Sequence, residues 1–135
     1  MAGYSSTPLA KKLGYQRGLT VHLHQAPAHY QKILALDDPK SVTWLKEPKP
    51  GVQFIHAFTT EFADLSKLLV LYRKRLAPDG ALWVSWPKKA AKVPTDITED
   101  RIREAALPLG LVDIKVCAVD EVWSGLKLVI RKELR

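Results

Sequence analysis

Two adjacent lysines are the side chains of this sequence that are best suited to bind a ligand. Lys88 and Lys89 follow Pro87, which ends the apolar run 81–86. That run predicts a strand that is buried on both faces, as the strands of parallel sheets are. Ligands of open α/β sheets bind outside the carboxyl ends of the strands. Two ammonium groups at such an end could hold a phosphate or a carboxylate, and the alternative is a solvated basic loop.

Further candidate residues are expected near the same end of the strands. His24 and Gln25 come at the end of the first predicted strand, and Asp96 precedes the last predicted helix. Asp96 could orient a ligand, with the alternative that it only caps a turn or a helix. Trp83 and Trp86 are three residues apart on one strand, so their rings face opposite sides. One ring then belongs to the core, and the other could stack on a ligand unless a helix covers it.

Three histidines raise the alternative of a metal site. His22 and His24 share one face of the first strand, and His56 lies on the third strand. Histidines arranged in this way can bind zinc, but no cysteine or carboxylate has a supporting spacing. The sequence contains no Ser-His-Asp arrangement and no phosphate-binding glycine loop. We therefore predict no metal ligand and no catalytic residue.

Length and composition place limits on the class of protein. The chain has 135 residues, which predicts one domain, 1–135, with an N-terminal helix and turn over 1–18. No apolar run approaches the roughly 20 residues of a membrane span, and residues 1–6 lack the pattern of a secretory signal. The single cysteine, Cys117, cannot form an internal disulfide. A cytoplasmic protein without membrane partners is the expectation, and the sequence leaves the oligomeric state open.

The chain is strongly basic, with a formal net charge of +7. Its basic residues cluster at 73–75, at Lys88 and Lys89 together with Lys92, and at 131–132. This charge is compatible with nucleic acid, an anionic small molecule or an acidic protein partner. A basic surface that is simply solvated is the alternative.

Helix and strand signals alternate along the chain. Predicted helices begin near residues 8, 28, 60 and 98 and end near residues 14, 36, 76 and 107. Predicted strands cover residues 19–24, 41–45, 52–58, 81–86, 111–119 and 126–131. This order predicts an α/β fold with three layers, in which a mostly parallel sheet lies between helices. The last two strands have room only for a turn between them, so they should form an antiparallel pair.

The order of elements resembles the Rossmann-like fold of S-adenosylmethionine-dependent methyltransferases. The resemblance covers residues 19–132 and includes the step Arg-Lys-Arg-Leu-Ala-Pro-Asp-Gly at 73–80 between a helix and the central strand. More closely, Trp-Pro-Lys-Lys at 86–89, Val-Pro-Thr-Asp at 93–96 and Val-Asp-Glu-Val-Trp-Ser-Gly-Leu at 119–126 are similar to a small bacterial family of unknown function. That family has a methyltransferase-like fold. The resemblance implies this fold and no established activity.

The resemblance also implies a cofactor turn that this sequence does not have. Methyltransferases carry a glycine-rich turn after the first strand, where the backbone approaches S-adenosylmethionine. The matching residues 24–28 read His-Gln-Ala-Pro-Ala, in which proline removes a donor and alanine adds a Cβ. The family's acidic residue after the second strand, which holds the ribose, is matched by Glu47. S-adenosylmethionine is thus the cofactor that the resemblance implies.

Three functions are compatible with these residues. The first is a non-catalytic Rossmann-like module that binds an anionic small molecule or an acidic partner at the carboxyl edge of the sheet. The second is an S-adenosylmethionine-dependent methyltransferase with a degenerate cofactor turn, and the third is nucleic-acid binding through the basic surface. The predicted ligand-binding residues are His24, Gln25, Glu47, Trp86, Lys88, Lys89 and Asp96.

Overall fold

The computed structural model describes residues 7–135 as strands and helices joined by short loops. The helices are α1 (Leu9–Leu13), α2 (Tyr30–Leu34), α3 (Phe62–Arg75) and α4 (Glu99–Ala106). The strands are β1 (Thr20–His24), β2 (Thr43–Leu45), β3 (Val52–Phe58), β4 (Leu76–Pro87), β5 (Leu111–Ala118) and β6 (Trp123–Ile130). Short 3₁₀ turns cover Pro39–Ser41, Lys89–Ala91, Leu107–Leu109 and Lys132–Leu134. Each helix between residues 7 and 135 is too short or too polar to cross a bilayer, and the prediction about a signal in residues 1–6 concerns residues outside this range.

The six strands form one mixed sheet in the order β2-β1-β3-β4-β6-β5. β1 pairs in parallel with β2 and with β3, and β3 pairs in parallel with β4. β6 lies antiparallel to both β4 and β5. The predicted α/β fold, with a mostly parallel sheet and an antiparallel C-terminal pair, is therefore confirmed.

Helices cover both faces of the sheet and divide the core into two layers. Because side chains alternate along a strand, Trp86 packs beneath α3 and α4, whereas Trp83 packs on the opposite face with α1 and α2. The predicted opposite orientation of the two rings is confirmed. The apolar stripe of α3 buries Leu65, Leu69 and Tyr72 against the sheet.

Trp83 fixes the position of α1, a helix too short to be stable alone. The indole Nε1 of Trp83 donates to the carbonyl of Leu13 at 2.8 Å, and Lys115 Nζ donates to the carbonyl of Lys12 at 2.9 Å. Carbonyls in the last turn of a helix have no partner within the helix, so these bonds satisfy them. A Cβ at Gly125 would lie 3.1 Å from the Trp83 ring, so glycine at this position leaves the space that the ring needs.

The central strand is longer than predicted. β4 begins at Leu76, where the sequence predicts the end of a helix, and includes the Pro-Asp-Gly step that was predicted as a turn before the strand. Val52 pairs with Leu76, but Phe54, two residues on, pairs with Ala81. The step is therefore a bulge within the strand, which absorbs the extra residues without ending the pairing. Glycine is favoured at position 80 because a Cβ would lie 3.0 Å from the backbone carbonyl oxygens of Ala77 and Gln53.

Other elements also differ from the prediction at their ends, α2 and β6 among them. α2 covers only Tyr30–Leu34 because Ala35 takes a left-handed conformation, with φ of 48°, that a helix cannot continue. β6 begins at Trp123, three residues before the predicted start at residue 126. Asp120 accepts hydrogen bonds from the next backbone N–H groups and tightens the turn, so the strand begins directly after it.

A chain of polar side chains crosses the layer that holds Trp83. Ser85 Oγ and His56 Nε2 are 2.7 Å apart, His56 Nδ1 and Tyr30 Oη 2.9 Å, and the Tyr30 and Tyr15 hydroxyls 2.7 Å. Ser85 and His56 are fully buried, and Tyr30 is 2% exposed. Buried polar groups without a partner are costly, so each member of this chain depends on the next.

Counting protons sets the direction of these bonds. Burial lowers the pKa of His56 to about 3, so the ring is neutral and carries one proton. Ser85 Oγ has no second side-chain or backbone partner in the part of the chain described, so its hydroxyl donates to Nε2. Nδ1–H then donates to Tyr30, and Tyr30 donates to Tyr15. The remaining hydroxyl proton belongs to Tyr15, the partly exposed residue at the end of this series of hydrogen bonds.

We expect acid to destabilise the protein through His56. The unfolded chain gains a proton at this residue below pH 6.5, whereas the folded chain gains none until about pH 3. The stability that neutral His56 contributes is present above pH 6.5 and is lost as the pH falls through this window, by about 1.4 kcal/mol per pH unit. Urea unfolding from pH 7 to pH 4 should show a steeper loss in the wild type than in His56→Gln. Parallel pH profiles for the two proteins would contradict the assignment.

Two substitutions at Trp83 separate its volume from its hydrogen bond. Trp83→Asp should prevent folding, because it places an unpaired charge in a fully buried layer. Trp83→Phe keeps an aromatic ring but leaves the Leu13 carbonyl without its donor, so we expect a loss of about 1–3 kcal/mol. Lys89→Ala is the exposed control and should change the free energy of unfolding by less than about 0.5 kcal/mol. Circular dichroism shows whether Trp83→Asp folds, and chemical unfolding measures the other two variants. Equal losses for Trp83→Phe and Lys89→Ala would be inconsistent with this role.

Candidate functional site

The order of strands reverses between β1 and β3, so the ligand crevice expected of an open α/β sheet belongs at the carboxyl ends of these two strands. The chain leaves β1 to form β2 on one side and then returns to form β3 on the other side of β1. In open α/β sheets this reversal is the place where ligands bind, because the loops after the two strands turn in opposite directions. His24 ends β1 and Phe58 ends β3, so the crevice lies directly above these two residues.

The turn after β1 has an unusual backbone. Gln25 is exposed and has φ of 51°, in the left-handed region that costs an L-residue about 1–2 kcal/mol. Glycine adopts this conformation without that cost. The backbone therefore makes a bend that favours glycine, while Gln25, Ala26 and Pro27 place side chains along it. Strain of this kind is often found where a chain binds a ligand.

His24 lies at the crevice with its imidazole available. The ring is half-buried, and it forms no hydrogen bond within residues 7–135. Burial lowers the pKa of His24, His22 lowers it further, and the carboxylate of Asp64 opposes both by raising it. Asp64 belongs to the first turn of α3, on the face toward which His24 points. A neutral imidazole in this position can donate one hydrogen bond and accept another from a ligand.

Lys88 is held at the end of β4 by the turn between β5 and β6. Its Nζ donates to the carbonyl of Asp120 at 2.6 Å, and its backbone N–H donates to Val122 O at 2.7 Å. The Asp120 carboxylate accepts bonds from the N–H groups of Val122 and Trp123 and lies 2.9 Å from His29 Nε2. Lys88 is thus a fixed, half-buried cation rather than part of a loose loop.

Lys89 and Lys92 differ from Lys88 because they are exposed and have no ion pair within residues 7–135. Lys89 opens a 3₁₀ turn, and Lys92 ends it with φ of 56°. This turn keeps both ammonium groups close to the carboxyl end of β4.

Asp96 acts as a cap for α3. Its Oδ1 accepts a hydrogen bond at 2.7 Å from the backbone N–H of Phe62, the first residue of the helix. Thr95 Oγ1 donates to the carbonyl of Thr60 at 2.6 Å. The loop after β4 is therefore fastened to the start of α3, as the alternative of a capping residue anticipated. The N-terminus of α3, which would favour an anion, already has a carboxylate.

Trp86 and Glu47 occupy opposite environments. Trp86 is 8% exposed and belongs to the layer beneath α3 and α4. Its ring is therefore covered by helices and does not offer a surface on which a ligand could stack. Glu47 is exposed and follows the end of β2 by two residues, at the same edge as His24. Beside it, a cavity of about 200 Å³ is lined by apolar residues of β1 and β2 together with Gln31 and Lys46. This volume is below the range of roughly 300–1,000 Å³ that is typical of sites for larger ligands.

The histidines do not form a zinc site. His22 faces α3, where its ring meets Tyr72 edge-on, and its Nδ1 lies 3.1 Å from the carbonyl of Leu45. His56 points to the other face, toward Tyr30. The structure therefore separates His56 from His22 and His24 by the thickness of the sheet, and the alternative of a three-histidine site is wrong.

One contact near this edge was not predicted from the sequence. His29 and Asp120 are 91 positions apart, and only the tertiary fold brings them to 2.9 Å. The Asp120 turn has a sequence signal, because aspartate often accepts bonds from the backbone two or three residues later. His29 has no such signal, since its position depends on how the loop before α2 meets the β5–β6 turn.

Solved structures with the same fold include methyltransferases. A candidate type 11 methyltransferase from Sulfolobus solfataricus has a TM-score of 0.63 at 17% identity, covering 92% of this chain and 90% of that one. An S-adenosylmethionine-dependent methyltransferase from Aquifex aeolicus has a TM-score of 0.63 at 19% identity, covering 89% and 87%. Fibrillarin from Aeropyrum pernix, solved with natively bound S-adenosylmethionine, has a TM-score of 0.55 at 13% identity, covering 90% and 73%. At these identities the comparison shows a shared fold.

Sequence comparison shows the family. No curated protein sequence matches the chain. The resemblance to a family of unknown function with a methyltransferase-like fold is confirmed by a match over residues 40–132, which is more than half of the chain. The chain belongs to the family described as "Protein of unknown function (DUF3052)".

Proposed function

We propose that this protein is a non-catalytic, methyltransferase-like domain that binds an anionic small molecule at the carboxyl edge of its sheet. One observation carries the proposal. On the β4 side of this edge, the carboxylates of Asp96 and Asp120 are engaged by the protein's own N–H groups. The ammonium groups of Lys89 and Lys92 have no ion pair within the described residues. Unpaired cations beside these two satisfied carboxylates favour an anionic ligand.

His24 supplies a neutral contact on the other side of the crevice. Lys88, Lys89 and Lys92 lie after β4, and His24 ends β1, with β3 between the two strands. A small phosphate- or carboxylate-bearing molecule could accept hydrogen bonds from the lysines while its polar body meets the imidazole. Lys88 keeps two N–H donors for such a ligand after its bond to Asp120.

The residues present do not fit S-adenosylmethionine at the turn where the methyltransferase fold binds it. Gln25 and Ala26 bring Cβ atoms to the bend, and Pro27 has no N–H to donate. The contact between His29 and Asp120 also links the loop before α2 to the β5–β6 turn across the same edge. For this reason we derive no methyl-transfer step.

A methyltransferase with an altered cofactor turn is the second candidate. Glu47 supports it, because this carboxylate follows β2 at the position that the resemblance assigns to the ribose contact. The relatives of known structure include proteins solved with S-adenosylmethionine. Isothermal titration calorimetry with S-adenosylmethionine and S-adenosylhomocysteine separates the candidates, because micromolar binding would favour the second and no heat at millimolar ligand would exclude it.

Thermal shift with a panel of nucleotides and acidic metabolites tests the anion site. A ligand at about 100 times its Kd should stabilise the wild type by about 2.7 kcal/mol, which raises the melting temperature by several degrees. Lys89→Ala combined with Lys92→Ala should remove most of this shift. Lys11→Ala combined with Lys32→Ala is the matched control, because these two lysines are exposed on α1 and α2, away from the loop after β4. Equal shifts in all three proteins would refute binding at this edge.

Gln25→Gly tests the turn itself. We expect the change to stabilise the protein by about 1 kcal/mol or less, because relief of the left-handed strain exceeds the added entropy of the unfolded chain. Ala35→Gly is the control, since Ala35 has a similar φ of 48° away from the crevice. Both variants should gain stability in chemical unfolding. Only Gln25→Gly should alter the affinity for an anionic ligand. Equal affinities in the two variants would show that Gln25 is not part of the binding site.

A further inference from the structure

The fold brings two basic segments together at the amino edge of the sheet, at the opposite end of the strands from Lys88. α3 ends at this edge with Arg73, Lys74 and Arg75. β6 is antiparallel to β4 and therefore also ends here, followed by the 3₁₀ turn Lys132–Leu134. The two segments are separated by more than fifty residues of sequence, and only the antiparallel strand pair makes them neighbours.

Contacts with one short loop link the two segments. Arg73 Nε donates to the carbonyl of Leu109 at 2.8 Å, and the backbone N–H of Arg131 donates to the carbonyl of Gly110 at 2.9 Å. A Cβ at Gly110 would also collide with the side chain of Leu134 and lie 3.7 Å from Arg73 Nε. Arg73 and the C-terminal turn are therefore held on the same loop. We call the resulting surface the amino-edge basic patch, and its residues are Arg73, Lys74, Arg75, Arg131, Lys132 and Arg135.

Two of its arginines are oriented by the backbone while their outer nitrogens remain available. Arg73 uses Nε to bond Leu109 O, and Arg135 uses Nε to bond Ile130 O at 2.7 Å. The Nη groups of both side chains make no hydrogen bond or ion pair with a residue in the described range. A guanidinium held in this way presents two parallel donors that match the oxygens of a phosphate.

The patch is only weakly neutralised by the protein. Arg131 Nε lies 3.9 Å from the carboxylate of Glu133, at the limit of an ion pair between exposed groups. Lys74 and Lys132 are exposed and have no ion pair with any residue between 7 and 135. The patch holds six of the chain's 21 lysines and arginines. Several cations spread over two elements suit a polyanion better than a single small anion.

We propose that the amino-edge basic patch binds the phosphate backbone of a nucleic-acid duplex without sequence preference. Binding of single strands relies on aromatic side chains that stack on bases, and Tyr72, the aromatic residue beside Arg73, is 1% exposed. The patch consists of arginines and lysines and lacks the asparagine, glutamine and acidic side chains that distinguish adenine and cytosine edges, so its cations are suited to phosphates of any sequence. The exposed Leu134 lies over Gly110, so its side chain packs on the protein rather than projecting as a membrane anchor would.

Fluorescence anisotropy with the full chain and labelled duplexes tests this proposal. Two unrelated duplexes of about 20 base pairs should bind with equal affinity, and the logarithm of the affinity should fall linearly with the logarithm of salt between about 50 and 300 mM. Lys74→Glu combined with Lys132→Glu should weaken binding by about tenfold or more and make the salt slope shallower by about 2. Circular dichroism melts are the control for folding, and this double variant should melt close to the wild type because both side chains are exposed.

A charge-matched variant separates the patch from net charge. Lys11→Glu combined with Lys32→Glu changes the net charge by the same amount on exposed positions of α1 and α2, and its affinity should stay close to that of the wild type. Arg135→Lys keeps the charge and should still lose several-fold in affinity, because it removes the guanidinium. Equal losses in the two double variants, or no binding of the wild type at about 50 mM salt, would overturn the proposal. So would tighter binding to a single strand, or binding to phosphatidylserine vesicles without binding to duplexes.

Discussion

Burial of β4 on both faces is the constraint on which the rest of this structure depends. The strand lies between β3 and β6 and is covered by helices on each side. Its inward residues must therefore be apolar or fully partnered. Trp83 meets this requirement by donating to the carbonyl of Leu13, and in doing so it anchors α1. Ser85 meets it through His56, which in turn requires Tyr30 and then Tyr15. One buried hydroxyl thus links four segments of the chain.

The same strand organises the candidate ligand edge. Lys88 follows β4 directly, and its bond to Asp120 ties the end of the strand to the β5–β6 turn. Asp96 ties the following loop to α3. The carboxylates of Asp96 and Asp120 accept hydrogen bonds from backbone N–H groups, whereas Lys89 and Lys92 have no ion pair in the described chain. The fold is that of methyltransferases, but the bend after β1 has side chains where close approach of a cofactor needs glycine. Shared architecture does not carry a shared reaction, because the chemistry resides in the residues of the site.

The basic clusters of the sequence are divided between the two ends of the strands. A helix that covers a parallel sheet runs back to the amino edge, so the cations in the last turn of α3 lie there and favour its dipole. The antiparallel β6 brings Arg131 and Lys132 to the same edge. The loop after β4 places Lys88 and Lys89 at the other end. The basic clusters of the sequence therefore form two separate surfaces, which together hold nine of the 21 lysines and arginines, and each surface has its own neighbours and its own candidate ligand.

The sequence by itself determined the architecture. Periodicity sets which face of α3 is buried, and the apolar run at 81–86 marks a strand covered on both sides, because burial acts on each residue locally. It also placed Lys88 and Lys89 after the central strand, and it indicated that Asp96 could be a cap. Tertiary structure alone decided the partners. The bulge in β4 depends on its register with β3, and the pairs His29–Asp120, Ser85–His56 and Arg73–Leu109 join residues far apart in sequence. A pattern along the chain records which side chains are buried, but it does not record which distant polar group each of them will meet.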